Sequence, residues 1–441
     1  MRKLLLATGP AVLLAVAGLW AWDCVQAPSG NMFTEGGLLL ALGRLAGLLA
    51  ACAVLAQLVL VSRAAWLEPV FGLDRLARVH HFVGAAVPLG LLSHPVLVTL
   101  AHARKDEVPL LEQFGKILGW EDTAAAAAGM ACILTAAALS LPPLRRRLSY
   151  ERWHAFHLLG YLGLGLALGH QLALGGDIAD NPWFGRLWVG LLAFAAANVL
   201  GYRFARPLWL SLHHRFAVER VVRETDDVVS VWITGRRLSA LRAQPGQFMI
   251  LRFWAPGLRW QAHPFSLSRP PDGQSLRVSI KRLGDFTAAV QGLSAGVPVI
   301  VDGPHGAFTG ARARQGKVLL VAGGIGITPL RALAEGFQAA GRDCVLLYGN
   351  RARQDAVFVD ELAALAGRGG LRVHHVLSAE PDWAGEKGLV DAERIRRLVP
   401  DCVERDAFLC GPPPMLRGVL AALRGLGVPE AQLHYELFSL S

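Results

Sequence analysis

Lysine is scarce in this chain of 441 residues, six beside 38 arginines, a bias that fits a GC-rich bacterial genome. Cysteine is scarce as well. Cys24, Cys52, Cys132, Cys344, Cys402 and Cys410 are scattered and form no C-x-x-C spacing. That pattern argues against a zinc ribbon, a thiolate-held cluster and a disulfide framework. Positive charge is missing altogether from residues 23–35 and 175–185. Carboxylates are missing from residues 79–101 and 153–174, which disfavours a carboxylate-bridged di-metal site there.

What is abundant is apolar sequence. Hydrophobic residues make up 53% of the chain and the mean hydropathy is +0.38, too greasy an average for one soluble fold. The first half, to about Trp209, runs in long Leu/Ala/Val/Gly stretches; beyond it, short apolar runs alternate with Gly, Pro and charge. The boundary falls near Arg206-Pro207. A hydrocarbon core of ~30 Å needs about 20 apolar residues per helix. Six segments qualify, at residues 4–22, 38–61, 79–101, 123–141, 153–174 and 183–202. The first also has the pattern of a cleavable leader, with Arg2-Lys3 ahead of it and Ala15-Val16-Ala17 inside it. Trp20 and Trp22 favour an interfacial belt instead.

The net charge of +10 does not point to nucleic acid, because the arginines of the first half gather at the ends of apolar runs. Arg63, Arg75 and Arg78 lie between spans two and three, Arg145-Arg146-Arg147 and Arg152 between four and five, and Arg203, Arg206 and Arg215 after six. The intervening loops are poorer in positive charge. The positive-inside rule then places both termini and the whole second half in the cytoplasm, with the chain multi-pass in a bacterial plasma membrane.

Ionisable side chains inside a span are costly and call for a partner. Span three carries His80, His81 and His94; span five carries His154, His157 and His170. His80 and His94 fall ~40° apart on one helix face with a rise of ~21 Å. His157 and His170 rise ~19.5 Å but fall ~140° apart on an ideal helix, so a bulge or tilt must absorb the mismatch. Both helices run outward, which matches His80 with His157 and His94 with His170 in depth. Each pair offers two imidazoles to one iron, and two filled axial sites suit electron transfer. Bonding of four histidines to backbone or other polar groups is the plain alternative, and a proton relay in a transporter is another.

After residue 211 the runs Val228–Ile233, Gly246–Leu251 and Leu276–Ile280 read as strands of an antiparallel barrel. His263-Pro264-Phe265-Ser266 offers an aromatic ring and a hydroxyl to a flavin, and Lys281 with Gly284-Asp285-Phe286-Thr287 offers a cation and backbone donors to a pyrophosphate. The buried-strand run Val318–Ala322 is followed by Gly323-Gly324-Ile325-Gly326-Ile327-Thr328-Pro329 and a helix. Strand, glycine turn and helix N-terminus together make a phosphate cradle. Runs at residues 344–348, 371–377 and 407–410 fit a parallel sheet. Arg351 follows the second of its strands, where a 2′-phosphate can be met, and Cys410-Gly411 ends the fourth.

With these motifs in this order the sequence resembles the superfamily of NADPH oxidases and ferric reductases. The resemblance implies a membrane all-α six-helix haem-binding bundle (residues 1–210). A soluble ferredoxin-NADP reductase-like module would follow, made of an FAD-binding antiparallel β-barrel (211–310) and an α/β NAD(P)H-binding domain (311–441). It implies FAD, two b-type haems and NADPH, with NADH possible, and a small-molecule acceptor, O2 or a ferric chelate. His80/His94 and His157/His170 are similar to the family's two ligand pairs, spacings of 14 and 13 included. Val301-Asp302-Gly303-Pro304-His305-Gly306 resembles its link between lobes, Cys410-Gly-Pro-Pro its nicotinamide-side motif, and Glu436-Leu-Phe438 the segment whose aromatic shields the flavin. In that reading Ser266 and Cys410 orient the two rings, and Phe438 moves aside for nicotinamide. Arg44 resembles an arginine near the outer haem, but the family's histidine four residues after the outer span-three ligand is Val98 here, with His102 four further on. That departure puts oxygen as the acceptor in doubt, beside ferric chelates, quinones or a periplasmic protein.

Overall fold

Long apolar runs without a strand partner satisfy their backbone polar groups only by coiling. The chain divides into two compact units, Met1–Val70 with Asp74–Arg203, and Phe71–Leu73 with Phe204–Ser441. The computed structural model describes residues 2–26, 37–173 and 176–437.

The first unit is helical. Among the described residues, four helices are long and apolar enough to cross a membrane: Leu5–Val25, Gly37–Val61, Leu73–Asp106 and Pro182–His214. A fifth candidate is bent, with Leu110–Leu118 and Thr123–Leu139 meeting at 102°. The expected span at 153–174 is not one helix. It is three pieces, Tyr150–His157, Leu159–Leu166 and Leu168–Ala173, separated at Leu158 and Ala167. Gly160, Gly163, Gly165 and Gly169 give this segment weak helix propensity. The Ala167 N–H is shared by the carbonyls of Gly163 and Leu164, both at 3.2 Å. Such tightened turns wind faster than the α-helix, which moves His170 toward the face of His157, in the direction the spacing of 13 requires.

Small residues let the helices of this unit approach. A Cβ on Gly163 would stand 2.5 Å from the Gly129 carbonyl, so the Leu159–Leu166 segment lies directly on Thr123–Leu139. A Cβ on Gly90 would stand 2.9 Å from the Ala50 side chain, which brings Leu73–Asp106 onto Gly37–Val61.

The second unit begins with two three-stranded antiparallel sheets. β1 (Ala217–Arg223), β2 (Val228–Thr234) and β5 (Ser275–Lys281) form one, in the order β1-β2-β5. β3 (Phe248–Phe253), β4 (His263–Ser266) and β6 (Val299–His305) form the other, in the order β4-β3-β6. Bridges Ala217↔Pro298 and Leu267↔Val278 join the two sheets at both edges. Between them lies a core that includes Val231, Met249, Leu251, Leu267 and Val278.

A parallel sheet follows, made of β7 (Lys317–Gly323), β8 (Asp343–Asn350), β9 (Leu371–Leu377), β10 (Glu386–Lys387), β11 (Arg405–Gly411) and β12 (Leu433–Leu437). Its order is β10-β9-β8-β7-β11-β12. β7, β8 and β11 are buried on both faces, as helix-covered parallel strands are. The direction of strand addition reverses between β7 and β11, the kind of switch point at whose carboxyl edge ligands bind in open sheets.

Candidate functional site

The helix Leu73–Asp106 and the broken segment after Tyr150 bring the four expected histidines together in two pairs. The imidazole centres of His80 and His157 stand 5.9 Å apart, and those of His94 and His170 stand 6.0 Å apart. His94 Nδ1 lies 2.9 Å from the Gly43 carbonyl, and His157 Nδ1 lies 3.2 Å from Ser140 Oγ. The Nδ1 atoms of His80 and His170 are buried without a hydrogen-bond partner among the described residues. Gly47 presses against His94, and a Cβ there would stand 2.7 Å from Nδ1. A cavity of about 410 Å³ opens beside the second pair, lined by His94, His170, Arg44, His102, Met130 and Trp188 among others. Arg44 and His102 therefore share one cavity with that pair, and His102 also stands edge-on to Trp120 at 5.2 Å.

This arrangement fits haem. Two imidazoles on opposite sides of one metal, each bonded at ~2 Å with its ring centre about 1 Å beyond, stand roughly 6 Å apart. Both pairs meet that spacing.

In the second unit, His263-Pro264-Phe265-Ser266 is strand β4, paired with β3. Its rings gather on Phe286, with His263 at 4.2 Å and Phe265 near-parallel at 6.3 Å. Ser266 Oγ is buried and has no hydrogen-bond partner among the described residues. A buried hydroxyl with nothing to bond suits a ligand that supplies the missing partner. Lys281 is ion-paired with Asp227 at 3.2 Å. The strand register forces this, since Lys281 stands opposite Val228, next to Asp227. Thr287 is also committed: its hydroxyl accepts from the N–H groups of Leu283 and Gly284 and donates to the Gly284 carbonyl. Gly284 and Asp285 are exposed at this turn.

At the switch point two motifs far apart in sequence meet. β7 ends in Gly323, a tight turn over Gly324–Gly326 follows, and the helix Ile327–Ala339 begins. Gly324 has φ +51°, which a glycine adopts without strain. Cys410 lies opposite Ala322 in the register of β11 on β7. Gly326 packs on the Cys410 carbonyl, and a Cβ on Gly411 would stand 3.1 Å from Gly323 Cα. Thr328 donates to the Ile325 carbonyl at 3.0 Å, and Pro329 occupies the first helical turn. Arg351 is exposed just past the end of β8. Phe438 lies outside the described residues, one position beyond β12.

A family model described as ferric reductase like transmembrane component matches residues 46–168, one described as FAD-binding domain matches 214–309, and one described as oxidoreductase NAD-binding domain matches 320–420. These three domains, in this order, match the architecture of the NADPH oxidase and ferric reductase superfamily. A ferric-reductase-like transmembrane part ahead of FAD- and NAD-binding domains supports a transmembrane oxidoreductase, and the first of these parts implies haem.

Relatives match about half of the chain. The glycine betaine monooxygenase reductase subunit of Chromohalobacter salexigens is 30% identical over 241 residues, which is 52% of this chain and 65% of that protein. The ferredoxin reductase component of 3-ketosteroid-9-alpha-monooxygenase from Mycolicibacterium smegmatis is 34% identical over 233 residues, 50% of this chain and 64% of that one. The chain thus spans under two thirds of the length of these relatives. Among solved structures, the flavohem-like FAD/NAD binding domain of nitric oxide dioxygenase from Vibrio cholerae is 24% identical with a TM-score of 0.46, covering 51% of this chain and 97% of that one.

Several residues around the superfamily's motifs carried no sequence signal. Ser140 and the Gly43 carbonyl touch the histidines from other helices. Glu361 joins Arg277 of β5 to Arg331 of the phosphate-loop helix. A serine at a helix end and a glutamate in a helical first turn are too common to single out without the contacts.

Proposed function

We propose that this protein carries electrons from cytoplasmic NADPH, with NADH as a possible donor, across a bacterial plasma membrane to a small-molecule acceptor, O2 or a ferric chelate. His80 with His157 and His94 with His170 would hold two b-type haems, in a bundle that crosses the membrane six times over residues 1–210. FAD would bind at 211–310 and the nicotinamide cofactor at 311–441. Bound FAD and haem supply the conversion of a two-electron donor into single-electron transfer.

The chain's own residues bind and orient. Ser266 offers its unpaired hydroxyl to the polar edge of the flavin, and Phe265 and His263 flank that position. The backbone N–H groups around Gly323, Gly324 and Gly326, with Thr328 and Pro329 opening the helix, face a pyrophosphate. Arg351 is the cation for a 2′-phosphate, and Cys410 with Gly411 lines the nicotinamide side. Gly284 and Asp285 keep the role of a backbone turn for the flavin phosphates, with Lys281 held to Asp227. Phe438 covers the flavin in this reading, and Arg44 stands at the acceptor end.

The observation that carries the proposal is the pairing of four histidines at 5.9 and 6.0 Å between ring centres. The reductase-subunit identity of the matched relatives favours a second reading, in which the acceptor is a partner protein. The test is an anaerobic visible spectrum of detergent-purified, FAD-supplemented protein before and after NADPH, followed by air. Reduced b-haem bands that bleach in air with superoxide trapped support O2. Bands that form but persist shift the acceptor to ferric iron or a protein. No Soret band in haem-replete protein sinks the histidine assignment.

A further inference from the structure

A neutral imidazole carries one ring proton, and a metal takes only the nitrogen that lacks it. For His157 that choice is made by a side chain outside the pair. Ser140 follows the helix Thr123–Leu139 directly, and its hydroxyl donates to the Ala136 carbonyl at 2.7 Å. The same oxygen accepts from Trp153 Nε1–H at 3.1 Å, and its third neighbour is His157 Nδ1 at 3.2 Å.

A hydroxyl has one proton and two lone pairs. Here the proton is committed to a carbonyl and one lone pair to an indole that can only donate. The remaining lone pair must receive a proton from His157, so the network assigns His157 as the Nδ1–H tautomer with a bare Nε2. The ring is also held in place. Trp153 stacks on it at 5.1 Å and 27°, and the Arg145 guanidinium stands 4.7 Å from the indole centre.

His94 reaches the same tautomer by a different route, because its Nδ1 faces the Gly43 carbonyl, a pure acceptor, at 2.9 Å. Each pair therefore has one imidazole oriented from outside and one, His80 or His170, without such a partner. The acceptor is backbone alone for the His94–His170 pair, whereas for the His80–His157 pair a replaceable side chain, Ser140, stands beside the Ala136 carbonyl.

We propose that Ser140 is a positioning residue that sets the tautomer of His157 and, through it, the reduction potential of the His80–His157 centre separately from the other centre. The proposal rests on the haem-ligation reading. An acceptor on Nδ1–H makes the imidazole a stronger electron donor and favours the oxidised metal. Removing it raises the potential.

Potentiometric titration of the full-length, detergent-purified protein, with low-temperature EPR of the oxidised state, tests this. Ser140→Ala is expected to shift one midpoint upward and change one EPR signal, leaving the other centre as in the wild type. Ser140→Thr keeps the hydroxyl and is expected to keep both wild-type midpoints. In a His94→Leu background the Ser140→Ala shift is expected to persist. Unchanged midpoints in Ser140→Ala, or an equal shift of both centres, overturn the proposal. If Ser140→Ala loses one haem, retention of both in Ser140→Thr supports it, and the same loss in Ser140→Thr overturns it. A wild-type protein with no Soret band overturns haem ligation itself, which is a separate failure.

Discussion

The carboxylate of Glu361 receives both terminal nitrogens of Arg277, at 2.5 and 2.9 Å, from a strand 84 residues earlier. The same carboxylate stands 2.8 Å from Arg331, on the helix that follows the Gly323–Gly326 turn. Arg277 in turn donates to Ser268, two residues past Ser266. One acid thus ties the flavin-side strands to the nucleotide-side helix. Arg277 and Arg331 are buried, with side chains 3% and 7% exposed, so neutralising their shared partner takes the charged partner from Arg277, while Arg331 keeps Glu335 at 2.5 Å. Glu361→Gln should destabilise the reductase region by roughly 2–4 kcal/mol, under the limit for fully buried pairs because Glu361 is partly exposed. Denaturant unfolding of the intact protein checks this.

The pH dependence of that contribution has a definite sign. Burial opposes ionisation of Glu361, but hydrogen bonds and charge from Arg277 and Arg331 outweigh it and hold the carboxyl below its ordinary value. The unfolded chain therefore binds the proton more readily, and the stabilisation is full above the unfolded pKa of about 4.3 and fades as pH falls through the folded value. The stability gap between wild type and Glu361→Gln should be widest near neutral pH and close on acidification below about 4. A gap that widens in acid would contradict the ion-pair account.

Ser266 Oγ is buried without a partner, so its removal should leave the fold intact or slightly firmer. If the hydroxyl is kept for the flavin, Ser266→Ala should slow NADPH-dependent flavin reduction by about tenfold, the worth of one hydrogen bond. Stopped-flow flavin absorbance, read beside thermal unfolding, separates the two effects.

Gly47 leaves no room beside His94. Gly47→Ala should displace that imidazole and lower the haem content of one centre, while the His80–His157 centre keeps its spectrum. Pyridine haemochrome quantitation per protein reads the loss directly. Two haems retained with unchanged spectra would show that His94 is not held where this contact places it.

Gly326→Ala would push a methyl into the Cys410 carbonyl, a backbone atom that cannot swing aside. Overpacking of this kind costs about 1–3 kcal/mol. The nucleotide loop is expected to shift, raising the KM for NADPH by about tenfold or more, with FAD content unchanged. Steady-state kinetics with a soluble electron acceptor reports it.

His94→Leu removes one ligand from the second pair. Transfer to the external acceptor should stop, while NADPH-to-flavin reduction proceeds at the wild-type rate. Full activity toward the external acceptor in this variant would remove His94 from the path.

Much of this protein is determined by short-range pattern. Runs of about 20 apolar residues dictate membrane-length helices, and six were expected where the described residues form four continuous ones, one bent pair and one broken segment. Gly323–Pro329 between a buried strand and a helix is likewise legible, because turn, strand and helix N-terminus are neighbours in the chain. The histidine spacings of 14 and 13 name the residues that pair, but on an ideal helix the second spacing points them apart. Only the breaks at Leu158 and Ala167, in a glycine-rich segment lying on Gly129, bring His157 and His170 to their partners. The ion pair of Lys281 with Asp227 is set by the register of β5 on β2. Ser140, the Gly43 carbonyl and Glu361 have no signature at all, since a hydrogen-bond partner is chosen by which surfaces pack, not by the residues on either side of it. Periodicity belongs to the chain and is read from it; tautomers, orphaned hydroxyls and shared carboxylates belong to the packed interior and exist only once it has formed.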